Sequence, residues 1–424
     1  MSKEIILTGI KPTGTPHLGN LVGAIKPIIE MSQGRQAFVF IADLHALNMI
    51  HSPAELQKYT LEVAASFIAL GLDTSKAVFF RQSDVPEVAY LSTLLMNVTP
   101  KGLMNRAHSY KEIQDINREK AFIKQMRLLE EDTVLNKTFS EKCKNLKDRY
   151  ERLKSEGNEN TEKSNQLKVL LEEFQNITSV FEKRYKEHVG KSKDERLIEK
   201  VFEFEQKVQK NVDLDIGINM GLYTYPVLMS ADILLYNSDI VPVGKDQKQH
   251  VEFARDIAGS FNAIYGETFK LPQPFIQEDT GLIPGLDGRK MSKSYGNQIP
   301  IFDSEAELKK KIMRIITDSK LPEEPKNPDN DTIFLLYKHF ADAAAVADLR
   351  TRFEKGGLGY GDAKKILYEA ANDYLAAPRA RYEALMKNPK EVYALLGDGA
   401  KRAREVAAAT TDRVKRAMKL DYFN

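Results

Sequence analysis

The stretch "TGIKPTGTPHLGN", residues 8–20, joins an apolar run, "EIILTGI" (4–10), to an amphipathic one that begins near Leu18. Its three glycines and two prolines mark a loop between a strand and a helix. Glycine lets a backbone come close to a bulky ligand. A helix N-terminus offers free N–H groups and partial positive charge to a phosphate. His17 stands where its ring can reach such a phosphate. Taken alone, the stretch reads equally well as a tight turn carrying a surface histidine.

Outward from it the same alternation continues. "AFVFIAD" (37–43), "AVFFRQS" (77–83) and "DIVPVGK" (239–245) are short apolar strands. Amphipathic helices separate them, such as 52–71, with Ser52 as N-cap and Glu55 three residues on. Strands alternating with helices predict an α/β fold with a Rossmann-like, doubly wound parallel sheet and a site at the carboxyl ends of its strands. From about 304 the chain reads as helical, apart from the loop "GGLGYGD" (356–362).

One segment breaks the pattern. No proline occurs between Pro100 and Pro226, and 112–212 holds 43 charged residues, 22 basic and 21 acidic, with only two glycines. Its apolar residues step in threes and fours: Phe139, Cys143, Leu146, Tyr150, Leu153, then Leu167, Leu170, Phe174, Ile177, Phe181. That spacing gives a narrow apolar seam, and "SEGNENTEKS" (155–164) supplies a turn. The expectation is an antiparallel coiled-coil hairpin with arms of roughly 65 Å at 1.5 Å per residue. It divides the α/β domain into 1–111 and 213–303, with a helical domain over 304–424. A natural insertion and a grafted foreign coiled coil both stay open, the abrupt compositional edges favouring the graft.

Composition sets bounds. At 424 residues, 42% hydrophobic and 29% charged, the chain reads as globular, with room for two or three domains. Met1–Thr8 lacks the basic and apolar regions of a leader, and no apolar run reaches the ~20 residues a membrane span needs. The single cysteine, Cys143, excludes an internal disulfide and fits a cytoplasmic protein. A net charge of +2 confines any nucleic-acid contact to local patches. No resident metal site is expected.

A second stretch completes the first. "GLDGRKMSKSYGNQ" (285–298) places Lys290 and Lys293 on a polar, glycine-bounded loop. With "HLGN" (17–20) and "KMSKS" (290–294) in this order, the chain resembles the class I aminoacyl-tRNA synthetases. "YPVLMSAD" (225–232), "VPVGKDQKQH" (241–250) and "ADLHALN" (42–48) narrow the resemblance to the tryptophanyl family, with the tyrosyl family as runner-up. It covers roughly 1–111 and 213–424. It implies tryptophan activation by ATP with Mg²⁺, release of pyrophosphate, and transfer to tRNA(Trp) by a homodimer.

The resemblance also implies site residues. Lys290, Lys293 and His17 carry catalysis, and the two lysines close over the pyrophosphate at the transition state. ATP contacts fall to Lys11, Gly14, His17, Gly19 and Asn20, and to Lys290, Met291, Ser292, Lys293 and Ser294. Tryptophan contacts fall to Tyr225, Met229, Asp232, Val241, Val243, Gln247 and His45, with Asp43 and Asp246 nearby. Spacing of four and three puts Tyr225, Met229 and Asp232 on one helix face, where a buried carboxylate suits an indole N–H. Lys11 and Lys245 depart from the family's usual Gln and acidic residue, and both add positive charge. "KRAREVAAATTDRVKRAMK" (401–419), with seven basic and two acidic residues, reads first as a solvated helix face and second as a tRNA contact. The inserted hairpin suggests a protein partner or self-association. A binding scaffold that merely carries it is the competing class of function.

Overall fold

The structure, a computed structural model, describes residues 4–117, 148–149, 214–244, 248–276 and 283–422. By its contacts the chain forms two compact units, Met1–Ala107 with Asn219–Asn424, and His108–Ile218.

The first unit is built on a five-stranded parallel sheet: β1 (Ile5–Ile10), β2 (Gln36–Ile41), β3 (Val78–Arg81), β4 (Ile240–Val243) and β5 (Gln273–Ile276), ordered β3-β2-β1-β4-β5. The order reverses direction between β1 and β4, where ligands settle in open α/β sheets. β1 runs in register with β2 from Ile5↔Gln36 to Ile10↔Ile41. Gly9 is required in β1, because a Cβ there would collide with the Phe40 ring. β5 escapes the sequence reading because Pro272 and Pro274 demote it. The sheet tolerates Pro274 because β5 is an edge strand with only β4 beside it.

The helical stretch after β1 has three parts: α1 (Leu18–Asn20), a wider π turn (Leu21–Ile25) and α2 (Lys26–Ser32). Pro27 explains the π turn. Proline lacks an N–H and its ring crowds the carbonyl four residues back, here Gly23. Bonding the Lys26 N–H to the Leu21 carbonyl, five residues back, opens the turn and removes the clash. α3 (Asp43–Ala46) follows β2, and α4 (Pro53–Ala69) starts as expected, Ser52 Oγ accepting from the Glu55 N–H at 3.3 Å. α5 (Glu87–Met96) follows β3, α6 (Tyr225–Leu235) precedes β4, and α7 (Lys248–Tyr265) links β4 to β5. The remainder is helical: α8 (Glu305–Met313), α9 (Thr332–Tyr337), α10 (Ala343–Lys355), α11 (Tyr360–Lys387) and α12 (Pro389–Ala417).

α12 returns to the sheet and packs on β3, α4 and α5. Much of its basic character serves that packing. Arg402 donates to the carbonyls of Thr74 at 2.6 Å and Ala77 at 3.2 Å, and Arg413 to the Thr268 carbonyl at 3.1 Å and Asn237 Oδ1 at 2.7 Å. Arg404 pairs with Glu87 at 3.5 Å. The solvated-face reading of 401–419 is therefore corrected for Arg402 and Arg413, whose guanidinium groups satisfy loop carbonyls that a helix cannot; Arg404 stays exposed.

In the second unit, 108–117 is helical. Tyr110 donates to Asp215 at 2.8 Å, and Asn117 Nδ2 donates to the carbonyls of Leu214 and Ile216, both at 2.8 Å. The two ends of the inserted segment are thus tied together. The hairpin expected over 112–212 lies outside the described residues except at 112–117 and 148–149.

The close approach of α12 to β3 gives a direct test. A Cβ at Gly399 would strike the Phe79 carbonyl, whereas one at Gly397 meets nothing within 4 Å. Gly399→Ala is expected to lower stability by about 1–3 kcal/mol. Gly397→Ala is expected to be neutral or to stabilise by up to ~1 kcal/mol. Urea unfolding of the two variants checks the contrast.

Candidate active site

The phosphate side of the site depends on a backbone pairing between distant segments. Leu18 N–H donates to the Ile299 carbonyl at 2.9 Å and Ile301 N–H to the Pro16 carbonyl at 3.1 Å, so 16–18 and 299–301 run antiparallel. The loop "KMSKS" is therefore held against "HLGN". Its entry is a tight hairpin, with Gly285 N–H on the Arg289 carbonyl at 2.7 Å and Met291 N–H on the Ile283 carbonyl at 2.8 Å. Met291 is 5% exposed and anchors the loop in the core. Lys293–Tyr295 form a single 3₁₀ turn, Ser294 within it, ended by Gly296 at φ 61°.

Asn297 braces this loop from inside. Its Oδ1 accepts from the Ser292 N–H at 2.8 Å, and its Nδ2 donates to Asp287 Oδ1 at 2.6 Å and to the Lys290 carbonyl at 3.1 Å. Lys290 itself is exposed, its backbone fixed and its ammonium outside. Lys293 lies across Gly14, whose φ of 148° favours glycine, and a Cβ on Gly14 would sit 2.9 Å from Lys293 Cε and nearer still to Nζ.

His17 is buried against Gly19, where a Cβ would come within 2.9 Å of its ring. Its backbone N–H donates to Asn20 Oδ1 at 3.0 Å, and its Nδ1 is buried with no hydrogen-bond partner. Burial, and then the Lys293 ammonium, lower the His17 pKa to about 4, so the ring is neutral at pH 7. Burial lowers the Lys293 pKa as well, with Glu62 opposing.

The second half of the site is lined by rings and ends in a carboxylate. Asp232 is 2% exposed, and its Oδ2 lies 3.0 Å from His45 Nε2. Gln82 Nε2 bonds both carboxylate oxygens, at 3.0 and 2.8 Å. Burial raises the Asp232 pKa, while the contacts from His45 and Gln82 oppose that rise. Tyr225 packs edge-on against His45 at 4.6 Å and against His250 at 5.2 Å, with its hydroxyl 3.9 Å from Met229 Sδ. Lys11 Nζ stands 5.3 Å over the Tyr225 ring, which puts Lys11 on this side of the site. Val241 and Val243 are buried on β4. Lys245, Asp246 and Gln247 lie outside the described residues.

Two residues here escaped the sequence reading. Gln82 directly follows β3 at the carboxyl edge of the sheet; a polar side chain just past a strand was its only signal. His250 sits in the first turn of α7, within the "DQKQH" string. Asp43 is bonded within the fold. It accepts from Ser83 N–H at 3.0 Å and Ser83 Oγ at 2.5 Å, tying α3 to the end of β3.

A helix start facing a lysine loop, beside a ring-lined site with a buried carboxylate, suits a nucleotide next to an aromatic amino acid. The sequence model of the family described as tRNA synthetases class I (W and Y) matches residues 2–130 and 144–376. The chain belongs to this family. The tryptophan–tRNA ligase of Pseudomonas aeruginosa is 39% identical over 98% of this chain and 73% of its own length. That of Rhodopirellula baltica is 38% identical, over 97% and 98% respectively. The solved tryptophanyl-tRNA synthetase from Campylobacter jejuni, complexed with ADP and tryptophan, is 34% identical with a TM-score of 0.69, covering 98% of this chain and 99% of that one. Within the family, these relatives place the chain among the tryptophan–tRNA ligases. Its Rossmann-like class I fold is the observed parallel sheet. No helix among the described residues is long and apolar enough to cross a membrane.

The neutral, buried His17 of this synthetase fold carries a pH signature. Above pH 6.5 it contributes no pH dependence, since the ring is neutral folded and unfolded. As pH falls from 6.5 towards 4 the unfolded chain takes the proton first, and stability is lost. Between pH 7 and pH 4.5 the loss is about 2–3 kcal/mol. His17→Asn is expected to remove that share of the acid-limb decline, measured by urea unfolding at the two pH values.

Proposed function

We propose that this chain joins L-tryptophan to ATP as tryptophanyl-adenylate, releases pyrophosphate, and passes tryptophan to tRNA(Trp). The observation that carries this reading is the Asp232–His45–Gln82 cluster at the end of the ring-lined site. An indole presents one N–H donor, and a buried carboxylate is the acceptor that rewards it. The carboxylate of tryptophan is already ionised and needs no general base. Catalysis then consists of holding two reactants in line and stabilising charge as it moves onto the phosphates.

The roles of named residues follow. The neutral His17 ring receives the triphosphate, with Gly14 and Gly19 giving it room. Lys290 and Lys293, on the loop that Asn297 braces, close over the leaving pyrophosphate and let it go afterwards. Ser292, Ser294 and Asn20 add polar contacts around the nucleotide. Lys11, above Tyr225, favours the carboxylate of the bound amino acid. Among the described residues no group of three or more His, Cys, Asp or Glu could hold a metal ion. Mg²⁺, when present, would supply charge neutralisation on the phosphates of the bound nucleotide.

The enzyme acts in the cytoplasm as a homodimer. Leu47, Met49 and Met220, exposed around the hydrogen bond from Asn48 to the Gly221 carbonyl, supply an apolar patch that supports such a contact. The segment 112–212 is an accessory module, of natural or grafted origin, that serves a protein partner or self-association.

Variants separate the two halves of the site. Lys293→Ala is expected to lower tryptophan-dependent pyrophosphate exchange by roughly 10²–10³-fold while moving the tryptophan Kd less than ~3-fold. Asp232→Ala is expected to do the reverse first, weakening tryptophan binding at least ~10-fold. Exchange kinetics together with calorimetric tryptophan titration check both; equal losses in both quantities for Lys293→Ala would contradict the loop's role.

A further inference from the structure

The lysine loop begins with a third cation, Arg289, that the chemistry of activation leaves unused. Its Nε donates to Asp287 Oδ2 at 2.8 Å, and Nη2 reaches the same oxygen at 2.6 Å. The guanidinium carbon stands 4.3 Å over the centre of the Tyr295 ring. Asp287 belongs to the entry hairpin of the loop, and Tyr295 ends the 3₁₀ turn at its far side. Arg289 therefore bridges the two ends of the segment that carries Lys290 and Lys293.

An exposed ion pair on its own adds little, and the Arg289 side chain is 63% exposed. This one is tied into the frame of the loop. Asp287 Oδ1 accepts from Asn297 Nδ2 at 2.6 Å and from the Arg289 N–H at 3.1 Å, so both carboxylate oxygens are engaged. Asn297 in turn holds the Ser292 N–H at 2.8 Å. A guanidinium donates to a carboxylate along its edge while its face covers a ring, two contacts that a lysine cannot make together. The bridge closes a ring of seven residues, 289–295, with both lysines inside it. Holding the ends of so short a segment removes conformers from every residue between them.

We propose that Arg289 is a positioning residue: with Asp287 and Tyr295 it forms a clasp across the base of the lysine loop, which keeps Lys290 and Lys293 in one arrangement so that the loop closes on the triphosphate as a unit. The clasp touches no substrate. It acts by lowering the ordering cost that closure would otherwise carry. This inference rests on the synthetase reading of the site.

Arg289→Ala is expected to lower kcat for pyrophosphate exchange by ~5–10-fold with the KM for tryptophan moved less than ~2-fold. Tyr295→Leu is expected to act in the same direction, whereas Tyr295→Phe keeps the ring and is expected to match the parent chain. Once Tyr295→Leu has opened the clasp, adding Arg289→Ala is expected to cost less than ~2-fold more. An unchanged kcat in Arg289→Ala overturns the proposal. So do fully multiplicative losses in the double variant, the outcome for an Arg289 that meets the nucleotide by itself. A second measurement needs no substrate: amide hydrogen exchange of the ligand-free protein, read at the bonded N–H groups of Met291, Ser292, Tyr295 and Gly296. Their exchange is expected to quicken by ~2–10-fold in Arg289→Ala and in Tyr295→Leu, with α4 unchanged. Equal rates in the variants and the parent chain overturn the proposal. Failure of the parent chain to exchange pyrophosphate with tryptophan would instead sink the functional reading, and the amide rates would still decide whether the clasp holds the loop.

Discussion

Two backbone hydrogen bonds, Leu18 to Ile299 and Ile301 to Pro16, make one site out of two sequence signatures nearly three hundred residues apart. Everything on the phosphate side hangs from this pairing. It brings the lysine loop over Gly14, turns His17 inward against Gly19 and seats Met291 in the core. Because the contact is between backbones, it fixes position without constraining the charges on the loop. Asn297 does the complementary work inside the loop, satisfying Ser292 and Lys290 main-chain groups that a mobile basic turn would leave to water.

The amino-acid side obeys a different constraint. A carboxylate as deeply buried as Asp232 persists only if each oxygen has a partner. His45 from α3, which follows β2, and Gln82, directly after β3, provide those partners from the carboxyl ends of neighbouring strands. The same arrangement leaves Tyr225, Met229 and the β4 valines around the space in front of the carboxylate. Rigid parallel strands thus hold the recognition end, whereas the phosphate end sits on a loop able to move. Such a division suits a reaction that binds one substrate firmly and must release pyrophosphate.

Much of this was legible in the sequence where the signal was local. The glycines of 8–20, the Ser52 cap and the one-face spacing of 225–232 each report on a few neighbouring residues, and each appears as read. What was not legible depends on distance. The partner of Asp232 at Gln82 lies 150 positions away, and the pairing of 16–18 with 299–301 has no side-chain signature at all. β5 was hidden by prolines that only an edge position tolerates. The arginines of α12 looked like a solvated face because sequence shows charge but not the carbonyls it meets. The bonds of Asp43 to Ser83, 40 positions on, had no signature in the sequence either.

The central claim is that the halves on either side of 112–212 form one site that joins an indole-bearing amino acid to ATP. Pyrophosphate–ATP exchange with tryptophan or tyrosine as the sole amino acid tests it most directly. Robust exchange with tryptophan and little with tyrosine is the expected result; exchange driven by tyrosine, or by neither, would contradict the account.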